Sequence, residues 1–421
     1  MRIDDLNLDI YHDLAGYLTV DQIVALRSCS KQLLALADDV FAVGYLSRNK
    51  RKVYYEREDS DLNRMLRQDF IDTNWASMHF HSTQLLSTQS SIPVLVTHKH
   101  LLILGSRSAV FVWDRRCSRY IRFVIANNKA SFDITGLVVV EYVGNTVTLI
   151  TSHVAGLIQR VVLDLHTRKA RQSAIYTPGK PITEVNRTRN VRTLQGNAEN
   201  VISAGEIGTL SIYKPKTPWL QPETVNVNTT RLWGIDANYV NNSVAASHNY
   251  SHTTRSSISL FNLNQTRIDN AGVLNTPDNV SSFTITNGHT TNGVLASPDI
   301  LIGGFYDSTV RIYDLRTGYN QVASYEDGLD IQPVYSLDVG GGHDSYICAG
   351  SALYSRLRVI DARMTGDFAH HIFAAHSSER SSPVYQLKVS HSHCYIATDS
   401  KVHELDFSRR NAHSQFPSIR C

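Results

Sequence analysis

The chain has 421 residues, with 41 Lys and Arg against 38 Asp and Glu, a net charge near +3. That length exceeds one small core and suits one large repeat domain plus a small extra piece. The near-neutral balance gives no support to bulk electrostatic binding of nucleic acid. Five cysteines, at positions 29, 117, 348, 394 and 421, are odd in number and unclustered, the pattern of reduced thiols rather than a disulfide framework.

The first residues, MRIDDLNLDIYHDL, carry acids where a secretion signal needs a basic and then an apolar stretch. No apolar run approaches the length of a membrane span. The expectation is residence in the cytoplasm, the nucleus or both, with no membrane and no nucleic-acid partner. The triplets opening at Asn186 and Asn249 then read as ordinary loop sequence rather than glycosylation sites.

From Leu6 to Arg48 the apolar residues follow helical spacing, with Ile10, Leu14 and Leu18 four apart on one face. Thr19 followed by Gln22 predicts a capping box opening a helix that carries Ile23 and Leu26. A further helix would hold Leu33, Leu34 and Ala37 and stop near Asp38 and Asp39, with Asp39 capping a segment from Val40 to Leu46. Helices this short are unstable alone in water and must pack on something. Residues 49–74 are charged and read as a partly helical linker.

From about residue 75 the period switches to two, with Gly, Ser, Asn and Pro as punctuation. One pattern then recurs seven times, an alternating apolar run ending in a polar residue that is often Asp. Its anchors are Trp113, Leu163, Tyr213, Phe261, Tyr313, Ile360 and Leu405, spaced 50, 50, 48, 52, 47 and 45 residues apart. A repeat of this length ending in a Trp-Asp-like pair marks a four-stranded propeller blade, and seven fit one closed ring. Each blade has two apolar faces that only its neighbours can hide, and closure removes the open ends. Residues 75–86 are the favoured outer strand of the seventh blade, with the tail after Phe407 as competitor. Longer insertions are expected at Asn186–Asn200, Lys214–Asn228 and Asn241–Ser256.

The region 75–421 resembles the WD-repeat propeller family, although only Trp113-Asp114 is a true Trp-Asp pair. The segment 1–48 resembles an F-box: Leu6 to Ile10, then Leu14, Tyr17-Leu18, Asp21 to Ile23, Leu26, Cys29 to Lys31, and Leu33. Asn7 stands where that family has Pro, and Leu33 where it has Trp. The resemblance to F-box/WD-repeat proteins implies a mainly β fold, a seven-bladed WD-repeat β-propeller preceded by a small all-α F-box-like domain. It also implies a function. The helices would dock on the Skp adaptor of a Skp–cullin–F-box ubiquitin ligase, and the propeller would present a protein substrate, phosphorylated or not.

The adaptor face implied is Leu6, Leu8, Ile10, Leu14, Leu18, Ile23 and Leu26. The competing reading is a helical cap packed on the propeller. Arg107, Arg255 and Arg356 fall in predicted turns between second and third strands. Arg231 falls in the lead-in to an inner strand, so all four belong to one rim. Arginine grips phosphate or carboxylate through two parallel hydrogen bonds, which makes them candidate substrate contacts. Trp233, Phe283, Tyr335 and Tyr385 occupy one slot of four inner strands and read as packing between blades.

Asp114/Arg116, Asp314/Arg316 and Asp361/Arg363 are similar to the Asp-x-Arg endings of propellers that dock on another cullin adaptor, the damaged-DNA-binding protein. A local pairing of each Arg with its Asp is the simpler reading. His98/His100 and His391/His393 with Cys394 lack further ligands at metal spacing, so no metal and no cofactor are expected. No nucleophile elbow, phosphate loop or metalloprotease motif occurs, and the chain is expected to be non-catalytic. The alternatives are a WD-repeat scaffold outside any ligase, an adaptor of the other cullin ligase, and a propeller enzyme acting through channel residues.

Overall fold

The computed structural model describes residues 14, 17–48, 60–87, 91–117, 119–126, 133–176, 191–205, 207–218, 220–227, 231–264, 268–288, 295–364, 369–374, 382–410, 416 and 418–420. The chain forms seven antiparallel sheets, and in all but the seventh the strands run in sequence order from inside to outside. The seven anchors lie on the third strands of the seven sheets, Ala109–Asp114 in blade 1 through Lys401–Asp406 in blade 7. Six of the anchors are buried. Trp113 is half-buried and stacks on Tyr120 at 6.1 Å, so the one true Trp-Asp pair is not the most enclosed.

The ring closes where the sequence favoured it. His81–Ser87 pairs antiparallel with Lys401–Asp406 as the outer strand of blade 7. The tail instead adds a fifth strand to blade 6, Ser418–Arg420 beside Ala369–Phe373. Burial between blades is mutual. Leu101, Ile103 and Val110 of blade 1 pack with Ile134, Leu137 and Val147 of blade 2 in one cluster. Each such side chain contributes about 1.5–3 kcal/mol when removed from water.

All three expected insertions hold strands: Val191–Gly196 lies inside the first, Glu223–Asn226 inside the second, and Ser243–Ser251 occupies the third. The sequence SVAASHNYS is too polar to read as a buried strand, yet Ser247 and His248 are buried. Hydrogen bonds from Ser247 Oγ to the Gly234 carbonyl and between His248 Nε2 and Ser259 Oγ make that burial tolerable.

The helices before the ring are α1 (Val20–Arg27), α2 (Lys31–Leu36) and α3 (Ala42–Arg48). Thr19 and Gln22 form the capping box reciprocally, at 2.9 and 3.3 Å. No stop occurs at Asp38. The chain passes through one π-helical turn, Ala37–Phe41, directly into α3. That wider turn lets Ala37, Val40, Phe41 and Ala42 all face one helical core, while Asp38 turns out to pair with Arg27 at 2.8 Å.

A long helix, α4 (Asp61–Ser77), follows, capped by the Ser60 hydroxyl. It crosses the boundary expected near residue 75, and the closing strand begins only at His81. Its first turns bury Leu62 and Met65 in the helical core. Its last turns bury Ile71 and Trp75 in the propeller. The Trp75 ring stacks on Phe407 at 3.7 Å and on Tyr346 at 5.3 Å, and its Nε1 donates to the His391 carbonyl at 2.8 Å. Gly341, at φ 75°, passes so close that a Cβ there would meet the indole at 3.0 Å.

Candidate partner-binding surfaces

The propeller has two faces of different composition. The lower face carries the turns between first and second strands. There α4 is seated, on Gly341, His343, His391 and Phe407. The upper face carries the turns between second and third strands and the lead-ins to the inner strands. The helices therefore stand on the side away from the predicted rim.

On the helical unit, Leu14 is exposed, and Leu18 and Leu26 are half-buried against the core. Leu6, Leu8 and Ile10 lie outside the described residues. Ile23 is corrected: it is 0% exposed, enclosed with Val20, Val40 and Phe41, so it holds the helices together and offers no surface to a partner. Helical phase alone could not tell the two sides of α1 apart, because both carry apolar residues. The outward apolar side chains that the sequence reading missed are Val24, Leu34, Val43 and Leu66, together with Tyr17 at 79% exposure. Only Tyr17 had a signal, as part of the F-box resemblance.

On the upper rim, Arg107 and Arg255 both sit in turns with left-handed backbone, each at φ 51°. Arg231 lies over the ring of Trp233, 4.7 Å from its centroid. Arg356 is corrected as a substrate contact. It is 2% exposed, and its guanidinium grips the Asp327 carboxylate at 2.5 and 3.3 Å. The pair staples the lead-in loop of blade 6 to its third strand. In blade 5 a local pair, Arg311 and Asp307 at 2.6 and 3.0 Å, ties the turn between the second and third strands to the third strand itself.

The Asp-x-Arg endings pair locally. Arg116, Arg316 and Arg363 each fold back on their own Asp through Nε and an outer nitrogen, at 2.6–3.1 Å. These contacts hold the Asp114, Asp314 and Asp361 carboxyls below the usual carboxylate range. The four inner-strand aromatics do pack between blades. Trp233 meets Phe283 at 4.7 Å, Phe283 meets Tyr335 at 5.2 Å, and Tyr335 meets Tyr385 at 6.0 Å. None of the four is fully buried.

His393, one of the candidate metal ligands, is enclosed by Asp406 at 3.5 Å and Glu404 at 3.9 Å, and burial lowers its pKa. Cys394 beside it is buried. Its neighbour in the adjoining blade 6 is Cys348, whose thiol their mutual hydrogen bond and burial push up.

No family model matches the chain. Among curated proteins it is similar to "F-box/WD repeat-containing protein 4" of Mus musculus and of Homo sapiens, 36% identical to each over 112 residues. The match covers 26% of this chain and 26% of each relative, about a quarter of either length. The seven-bladed ring, the helical segment before it and this partial match together support the F-box/WD-repeat family for this chain.

Proposed function

We propose that this protein is a non-catalytic substrate-recognition subunit of a Skp–cullin–F-box ubiquitin ligase, working in the cytoplasm or nucleus. The helical unit binds the Skp adaptor through Leu14, Leu18 and their outward neighbours, burying an apolar helical face in a groove of the partner. The propeller holds a protein substrate on its upper rim.

The observation that carries the reading is one helix shared by two cores. The helix α4 fixes an exposed apolar helical unit to the lower face, opposite the aromatic rim. A scaffold needs no such fixed separation of two binding surfaces. A ligase subunit does, because the substrate must stand at a set distance from the rest of the assembly.

The test is affinity capture with the full chain. The Skp adaptor is expected to copurify with the wild type and to be lost with Leu14→Asp or Leu18→Asp. Recovery of other partners without the adaptor would favour a WD-repeat scaffold. The other cullin adaptor has a weaker basis here, since the arginines of the Asp-x-Arg endings are already engaged by their own carboxylates.

A further inference from the structure

The inner strands of blades 2 to 6 share a bulge near their start, and in blades 4, 5 and 6 it carries an aromatic residue. The register slips between Leu232 and Gly234, between Ser282 and Thr284, and between Val334 and Ser336. The residue caught in the slip is Trp233, Phe283 or Tyr335. A bulge re-aims the side chain it carries, and here it turns three rings onto the rim in a row. Tyr385 continues the arc in blade 7. Tyr306, 59% exposed, stacks on Phe283 at 5.6 Å from the adjoining turn.

The surroundings of this arc are apolar and acidic. Leu329, Ile331, Leu353 and Tyr354 are exposed on the loops of blade 6, with Ile331 at 78%. The described upper loops of blades 5–7 are residues 274–281, 306–309, 326–333, 352–355, 382–384 and 399–400. They contribute Asp278, Asp307, Glu326, Asp327, Asp330 and Asp399, and no Lys or Arg. Asp307 and Asp327 are engaged by arginines from their own blades. Asp278 accepts a hydrogen bond from the Tyr250 hydroxyl at 2.7 Å. Asp399 stands near enough to Tyr385 to help raise its hydroxyl pKa, after burial and the neighbouring Tyr335. Among the described residues, Lys401 opens the third strand of blade 7, and basic residues return on both flanks of the arc, as Arg231 and Arg255 of blade 4 and Arg107 of blade 1. One ring of the arc already faces a cation, since the Arg231 guanidinium lies 4.7 Å over Trp233.

We infer that the rim over blades 5–7 receives a basic, apolar-flanked segment of the substrate, with Lys or Arg side chains over the rings of Tyr306 and Tyr335, which Phe283 supports from between. The inference rests on the proposed function and names the substrate chemistry of that same surface. Ring faces attract cations with about 0.5–2 kcal/mol per contact, and the bordering carboxylates add attraction of the same sign. A phosphate would meet like charges over this stretch, which oppose its docking. Flanking apolar residues would cover Ile331 and Leu353.

The test uses the purified full chain and three labelled peptides followed by fluorescence anisotropy. One alternates arginine with leucine; the others carry glutamate or phosphoserine in place of arginine. The arginine peptide should bind tightest and weaken as salt rises. The pair Tyr306→Ala with Asp330→Asn should weaken it about tenfold, the sum of one ring contact and one charge. These are surface changes, so the fold is retained, and an unchanged thermal midpoint checks it. Tighter binding of the phosphoserine peptide, lost in Arg231→Glu, would overturn the inference, as would equal binding of all three, absence of binding, or indifference to the double variant. Adaptor capture on the same variants keeps the two questions apart. It should survive Tyr306→Ala with Asp330→Asn and fail only with the Leu14 or Leu18 changes.

Discussion

Buried polar side chains decide how much single residues matter in this protein. Arg356 and Asp327 are both nearly inaccessible, at 2% and 5% side-chain exposure, and neutralise one another. Removing Arg356 leaves the buried Asp327 carboxylate to the more distant Arg358, at 3.8 Å, in a medium that solvates charge poorly. Arg356→Ala should therefore cost about 3–5 kcal/mol, read as a shift in denaturant midpoint. Asp327→Leu strands two buried guanidiniums, because Arg358 lies 3.8 Å from the same carboxylate, and should cost more than Arg356→Ala; an Asp327 variant no worse than Arg356→Ala would refute the pairing argument. His371 stands beside this pair, and burial holds its pKa down to about 4. The folded state thus binds its proton less readily than the unfolded chain, whose histidine titrates near 6.5. The stability this confers is complete above pH 6.5 and is lost as pH falls toward 4. Thermal melts across that window should show the decline in the wild type and a shallower one in His371→Leu. The sequence exposed none of this: Arg356 looked like the other rim arginines, because only the fold brings Asp327 against it.

At the scale of elements, α4 is the piece that makes one body of two. Seventeen residues at 1.5 Å each give about 25 Å, enough to reach from one core to the other. Its lower anchor is geometric as well as apolar. Gly341 lets the indole of Trp75 lie against the backbone, and Asp72 accepts the His343 N–H at 2.9 Å. Trp75→Ala leaves a large cavity, so a loss of about 3–5 kcal/mol is expected. Gly341→Ala should also destabilise, by combining a clash with a left-handed backbone. If either variant unfolds at the wild-type denaturant midpoint, the seat of α4 is not where the stability lies. The capping box at Thr19 was legible because its partners are three residues apart. The seat of Trp75 was not, because its contacts with Phe407 and His391 lie more than 300 residues away in the chain. A tryptophan at the edge of an amphipathic stretch reads equally well as the start of a strand.

For the whole molecule, closure is the controlling event. The strand that seals blade 7 comes from residues 81–87, and its partner from residues 401–406. Joining segments so far apart must follow the formation of most blades, which makes ring closure a late and slow step. Cutting the chain before residue 60 removes α1 to α3 but spares the seal. Cutting before residue 88 removes the seal and bares the edge of Lys401–Asp406, a template for aggregation. The first truncation should unfold in one cooperative transition near the wild-type midpoint. The second should lose hydrogen-exchange protection in blade 7 and associate with itself; full protection there would show that another strand can close the ring.

Repeat length, strand alternation and anchor spacing are local properties of the chain, and they alone determined a ring of seven sheets preceded by helices. Each blade solves the same burial problem, so the pattern is written seven times and survives the loss of its consensus Trp in six of them. What surrounds a side chain is a property of the closed ring. Tertiary structure decided that Arg356 is a staple, that Ile23 is core, that the tail edges blade 6, and that three bulged aromatics line up on one rim. Those outcomes depend on neighbours brought in from distant sequence, where periodicity carries no information about what meets what.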